Sequence, residues 1–265
     1  MEVRFEKILN SRELGGIKVR DGRCVKAGKL FRTALLGEAS DSDLEKLERC
    51  GIRAVFDFRS SYESGRLPDR EIKGAEHIQI EVLSLNSHLY KGMSKAFEGE
   101  VSFEEGMAKF ALTPAAHMLC DGFYLSFVSD PDSQKAFAKF FRRLLGLEGA
   151  PVLWHCSQGK DRTGLAAAFI LFALGADRKT VLGDFARSNV TYAQEKEIIK
   201  STVISLGGEA DELDCIETLV GVSVRSFTQA LDYIDKECGG IDNYLRDKLE
   251  LSEQDILKLR EYYLE

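Results

Sequence analysis

Proline and tryptophan are scarce in this chain, at four and one in 265 residues. None of the prolines (Pro68, Pro114, Pro131, Pro151) sits in a Ser/Gly-rich or low-complexity stretch, so nothing marks a linker and residues 1–265 read as a single domain. The six cysteines (Cys24, Cys50, Cys120, Cys156, Cys215, Cys238) form no C-x-x-C pair and have no histidine at zinc-like spacing. That argues against a disulfide scaffold and a zinc site, and no metal or cofactor is expected. Long apolar runs are missing as well. The longest uncharged stretch, Thr163 to Ala176, is too short to span a bilayer, and the N-terminus lacks the apolar core of a secretory signal. Positive charge is not in excess: 36 Lys and Arg against 43 Asp and Glu leave −7. Such a balance points to neither nucleic acid nor an anionic membrane as partner. The expectation is a cytoplasmic chain without stable membrane insertion, with export lacking a cleavable signal left open.

What the chain does have is 44% hydrophobic and 30% charged residues, enough for a large core under a solvated surface. Asp21-Gly22 between Ile17–Val19 and Cys24–Val25 predicts a small hairpin, followed by a strand over 30–32. Asp41-Ser42-Asp43 supplies the cap and first-turn acids of a helix that Gly51 ends, just before a β-type run from Ile52 to Phe58. A further strand is expected over 77–82, an amphipathic helix over 133–145, a strand over 152–155 and an apolar helix over 165–174. More helices follow, the last opening on Ser252 and Asp255 as a capping-box-like pair. Strands alternating with helices predict an α/β fold, a mainly parallel central sheet flanked by helices.

The chemistry concentrates between the strand at 152–155 and the apolar helix: His155-Cys156-Ser157-Gln158-Gly159-Lys160-Asp161-Arg162-Thr163-Gly164. A tight loop opening a helix aims backbone N–H groups and the positive end of the helix dipole at one point, which suits a phosphate. Residues 157–162 (Ser157, Gln158, Gly159, Lys160, Asp161 and Arg162) are the candidate phosphate binders. In a field of that kind a thiol pKa can fall from about 8.5 to roughly 3.5–7.5, so Cys156 is expected to serve as a thiolate nucleophile. Arg162, five residues beyond, can lay its guanidinium fork on phosphate oxygens. A Walker-type nucleotide loop is excluded because Gly159-Lys160 is followed by Asp161.

These residues resemble the signature loop of the cysteine-dependent protein tyrosine and dual-specificity phosphatases, and most closely the bacterial and fungal tyrosine-phosphatase-like family. The likeness extends to Asn10-Ser11-Arg12-Glu13-Leu14-Gly15-Gly16, Phe31-Arg32-Thr33, Asp57-Phe58-Arg59-Ser60 with Glu63, and the C-terminal run from Tyr244 to Arg260. Glu13 stands where the family usually has Asp. The resemblance implies a protein-tyrosine-phosphatase-like fold and hydrolysis of phosphomonoesters, without metal, through a cysteinyl-phosphate on Cys156. It implies a phosphorylated protein or a phosphoinositide as substrate, the latter because lipid phosphatases carry charged residues at the places of Lys160 and Asp161. Thr163 is placed to donate to the Cys156 sulfur, and His155 and Arg59 are placed in support.

Two aspartates compete to protonate the leaving group. Asp57, at the C-terminal end of its strand, is favoured over Asp161 inside the loop, with an ion pair to Arg59 as its alternative role. Asp130 and Asp132 near Pro131 are weaker candidates. The section 84–130, rich in Phe, Met and Leu, reads either as a helical lid or as core helices. A catalytically silent phospho-ligand binding module on the same fold is the rival from another class. Sulfur-transfer or arsenate-type chemistry is disfavoured by Lys160 and the spacing to Arg162.

Overall fold

The computed structural model describes residues 5–82 and 102–265. The strands are β1 (Arg12–Glu13), β2 (Leu30–Thr33), β3 (Ala54–Asp57), β4 (Glu76–Gln79) and β5 (Val152–His155). They pair in the order β1-β2-β5-β3-β4, with only β1 antiparallel. The expected hairpin is present as backbone hydrogen bonds from Val19 N–H to Arg23 O and from Val25 N–H to Ile17 O around one bridge, Lys18 to Cys24, and Val25 also bridges to Leu264 near the C-terminus.

Each central strand is buried on both sides, and its residues alternate between two cores, as the two-residue period of a strand requires. Leu30, Ala54, Phe56, Val152 and Trp154 face the larger core. Phe31, Val55 and Leu153 face a smaller one built on helix α1 (Asp41–Arg49). Helix α1 is capped by Ser40, one residue before the expected start, because its hydroxyl accepts the Asp43 N–H while the Asp43 carboxylate accepts from the Ser40 N–H. A second capping box, Ser60 with Glu63, starts helix α2 (Ser61–Arg66) directly after β3.

Three helices follow the undescribed segment: α3 (Phe103–Ala111), α4 (Pro114–Cys120) and α5 (Phe123–Ser129). They are packed on their neighbours, with Phe110, Leu119, Phe123, Tyr124 and Phe127 in the larger core and Met107, Ala108 and Ala111 in a third cluster. The first part of the expected lid, 84–101, lies outside the described residues. Helix α6 (Pro131–Gly146) begins two residues earlier than its amphipathic pattern suggests, because Asp130 caps it and Pro131 occupies its first turn. Phe140 of α6 meets Phe56 and Phe58 edge-on at 4.9 and 5.2 Å, contacts of about 0.5–1.5 kcal/mol each beyond area burial.

Helix α7 (Asp161–Leu174) is buried almost all round, as its nearly uncharged sequence dictates. The remaining helices are α8 (Arg178–Ala186), α9 (Ser188–Thr191), α10 (Ala193–Ser205), α11 (Ala210–Leu219), α12 (Val224–Cys238), α13 (Ile241–Asp247) and α14 (Glu253–Tyr263). The last has the Ser252–Asp255 capping box. Among the described residues no helix is long and apolar enough to cross a membrane.

Candidate active site

Strand β5 ends at His155 and helix α7 starts at Asp161, so Cys156 to Lys160 form the connecting turn, at the C-terminal ends of the parallel strands. Cys156 is buried. Gly159 has φ +64, and a Cβ there would lie 2.2 Å from the Thr33 carbonyl oxygen, so both conformation and space demand glycine. The turn's carbonyls are all engaged. Leu35 N–H donates to Ser157 O (3.2 Å), the Tyr192 hydroxyl to Gln158 O (2.6 Å), and Asn10 Nδ2 and Arg32 Nη2 to Gly159 O (2.8 and 2.9 Å). Because each trans peptide is planar, holding these carbonyls outward turns the N–H groups of Gln158, Gly159 and Lys160 to the opposite side. Backbone N–H groups freed in this way can form a cradle for an anion. Burial, with neighbouring anionic groups, raises the Tyr192 phenol and keeps it a donor.

Arg162 in the first turn of α7 is held by a residue whose role the sequence did not disclose. Its Nη1 and Nη2 donate to the two carboxylate oxygens of Glu63 at 2.8 and 2.7 Å. Glu63 also accepts from the Ser157 hydroxyl (2.7 Å) and the Ser60 N–H (2.9 Å). Burial would raise the Glu63 carboxyl, but the hydrogen bonds and charge of Arg162 prevail and hold it far below its ordinary value. The bidentate grip fixes the plane of the guanidinium.

Two charged clusters flank the loop. On the α1 side, Arg59 donates its N–H, Nε and Nη2 to Asp57, and Nη2 also lies 3.0 Å from Asp69. His155 Nε2 is 2.9 Å from Asp69, while its Nδ1 is 3.3 Å from the Cys156 carbonyl. Asp57, Asp69 and His155 bring three donor atoms within 4.8 Å of one another, and the cation among them is Arg59. Asp69 is held low: burial opposes this, and the neighbouring His155 ring, the charge of Arg59 and the Leu36 N–H outweigh it. On the other side, Arg12 Nε and Arg32 Nη1 each reach Asp184 of α8 at 2.8 Å, and Arg12 Nη1 donates to Asn10 (2.9 Å).

Against the sequence-based expectations, Cys156, Ser157, Gln158 and Gly159 lie in one turn, Arg162 in the adjoining helix shares Glu63 with Ser157, and His155 and Arg59 lie behind the turn. Asp57 has the ion-pair surroundings of its alternative role, both carboxylate oxygens being taken by Arg59. Asp161 accepts from the Tyr124 hydroxyl at 2.7 Å and sits 2.8 Å from Lys160 Nζ. The Lys160 ammonium is buried and donates to the Thr218 carbonyl of α11, so it does not face the cradle in this structure. Thr163 departs from its expected role: its hydroxyl is buried and makes no hydrogen bond among the described residues, the sulfur of Cys156 included, while its carbonyl accepts from Trp154. Asp130 is a helix cap.

A model of the tyrosine phosphatase family matches residues 3–265. A Cupriavidus necator protein assigned by name to the tyrosine-protein phosphatases is 32% identical over 265 residues, covering 99% of this chain and 88% of that protein. The triple specificity protein phosphatase PtpB of Mycobacterium tuberculosis is 28% identical over 247 residues, covering 84% and 86%. The crystal structure of P. aeruginosa TpbA aligns with 72% of this chain and 88% of its own at 16% identity, with a TM-score of 0.36.

Proposed function

Since the chain belongs to the tyrosine phosphatase family, we propose that it hydrolyses phosphomonoesters in two steps at the turn after β5. In the first, the Cys156 sulfur attacks phosphorus, the ester oxygen leaves with a proton, and a cysteinyl-phosphate forms. In the second, water attacks that phosphorus and returns the thiolate. The observation that carries this reading is the outward hold on the carbonyls of Ser157, Gln158 and Gly159, which leaves the N–H groups of Gln158, Gly159 and Lys160 without those partners and free for the equatorial oxygens. Arg162 completes the clamp, with Glu63 fixing its orientation.

For the leaving-group proton the reading moves from Asp57 to Asp161. Asp57 is bound on both oxygens by one guanidinium. Asp161 has no bidentate guanidinium among the described residues: the Tyr124 hydroxyl donates to one oxygen, the Lys160 ammonium lies 2.8 Å from the other, and the residue adjoins Arg162 in the chain. Asp161→Asn should depress hydrolysis of an alkyl phosphate far more than that of para-nitrophenyl phosphate, whose leaving group needs little protonation. Equal loss on both substrates, or the selective loss in Asp57→Asn instead, would return the role to Asp57.

The substrate class proposed is phosphotyrosine proteins, phosphoinositides or both; the name of the mycobacterial relative, a triple specificity protein phosphatase, supports the protein substrates. Phosphate release from para-nitrophenyl phosphate, a phosphotyrosine peptide and a phosphoinositide panel, with EDTA present, tests both parts. Activity that survives EDTA and vanishes in Cys156→Ser is expected. Binding without turnover in the native chain would make it a phospho-ligand binding module.

A further inference from the structure

The formal charges around the turn are unevenly distributed. Arg162 is matched by Glu63 and Lys160 by Asp161, one to one. On the α1 side two carboxylates, Asp57 and Asp69, meet one guanidinium, Arg59, with the His155 ring beside them. The opposite face has the reverse ratio. Arg12 and Arg32, both buried, share the single carboxylate of Asp184, with exposed Arg187 adding a weaker positive influence. Strand alternation puts Arg32 on the same face as Trp154 and Cys156, whereas Thr33 and His155 share the other. Arg32 Nη2 donates to Gly159 O and lies where Gly164 leaves room, since a Cβ there would come within 3.4 Å of it. Burial, then Arg12, push the Arg32 guanidinium down to about 9, which still leaves it charged at neutral pH.

The geometry points to the Arg12–Asp184–Arg32 cluster as a fixed, buried positive charge behind the turn that favours a tetrahedral dianion in the cradle, Arg12 being the positioning residue that supplies the surplus charge. Among the described residues Arg12 makes no hydrogen bond to the loop. Within the same set its side chain hydrogen-bonds to Asn10 and Asp184, and its charge acts through low-dielectric protein, where screening is weak. This rests on reading the turn as a phosphate site.

Arg12→Gln separates charge from position, because it leaves Arg32 paired one to one with Asp184 and still donating to Gly159 O. Tungstate, a tetrahedral dianion, titrated calorimetrically into the full chain is the readout. Arg12→Gln should weaken tungstate binding about tenfold, equivalent to ~1.4 kcal/mol. Arg12→Lys, which keeps the charge, should restore most of it, and Asp184→Asn, which removes the negative charge, should bind no more weakly than the native chain. Native affinity in Arg12→Gln overturns the inference, as does equal weakening in Arg12→Gln and Arg12→Lys. Should Arg12→Gln fail to fold, Arg12→Met against Arg12→Lys gives the same contrast, and equal loss in both overturns it. A native chain that binds no tungstate would instead sink the phosphate-site reading itself.

Discussion

The two faces of the sheet support the same turn by different means. On the α1 face the contact with the turn is a histidine ring against the Cys156 carbonyl, with Asp69 and Arg59 behind it. On the α7 face the contacts are direct hydrogen bonds from Asn10 and Arg32 to the carbonyls of Gln158 and Gly159. The first arrangement orients the strand end, and the second fixes the peptide planes that form the cradle. A turn that must present three N–H groups to an anion needs its carbonyls restrained, and cations and amides can do that where carboxylates cannot.

Removing one carboxylate from each face should break this symmetry. Asp184→Ala strands two buried guanidiniums without an anion and is expected to cost about 3–5 kcal/mol in urea unfolding. Asp69→Ala leaves Asp57 on Arg59 and should cost less, about 1–3 kcal/mol. A larger loss from Asp69→Ala would reverse the ranking of the two faces.

Acid titration sharpens the same point. Glu63, Asp69 and Asp184 all sit below their ordinary values in the folded chain. Their stabilisation is therefore fully present above the ordinary Glu value of 4.5 and is lost as pH falls below it toward the folded values. Stability measured from pH 7 downward should decline below that point, and Glu63→Gln should make the decline shallower. An unchanged acid limb in Glu63→Gln would mean that the Arg162 grip does not persist in solution. The smallest effect serves as a control outside both charged clusters: Ser252→Ala removes the cap of α14, costs about 1 kcal/mol and leaves turnover unchanged.

The turn itself was legible in the sequence because its parts are consecutive: strand, cysteine, glycine, arginine and apolar helix follow one another from 152 to 174. The parallel sheet was legible for a similar reason, since apolar runs and helix signals alternate along the chain. The supporting residues were not. Glu63 grips Arg162 from 99 residues away, and Arg12 meets Asp184 across 172. Family likeness drew attention to the segments around Asn10, Arg32 and Glu63, but one chain says nothing of which carboxylate each arginine meets. Asp69, Asp184, Tyr124 and Tyr192 carried no local signal at all. Lys160 and Thr163 show the opposite case: position in the motif suggested a contact with the bound group for the first and with the Cys156 sulfur for the second, whereas Lys160 donates to α11 and the Thr163 hydroxyl is buried without a hydrogen bond among the described residues.

The central claim is that Cys156 carries the phosphoryl group during turnover. Acid quenching of the Asp161→Asn variant at work on para-nitrophenyl phosphate, followed by peptide mass spectrometry, addresses it directly. The account predicts one phosphoryl group on the peptide containing Cys156 and none on that peptide in Cys156→Ser. Turnover with no phosphorylated Cys156 peptide, or activity retained by Cys156→Ser, would contradict it.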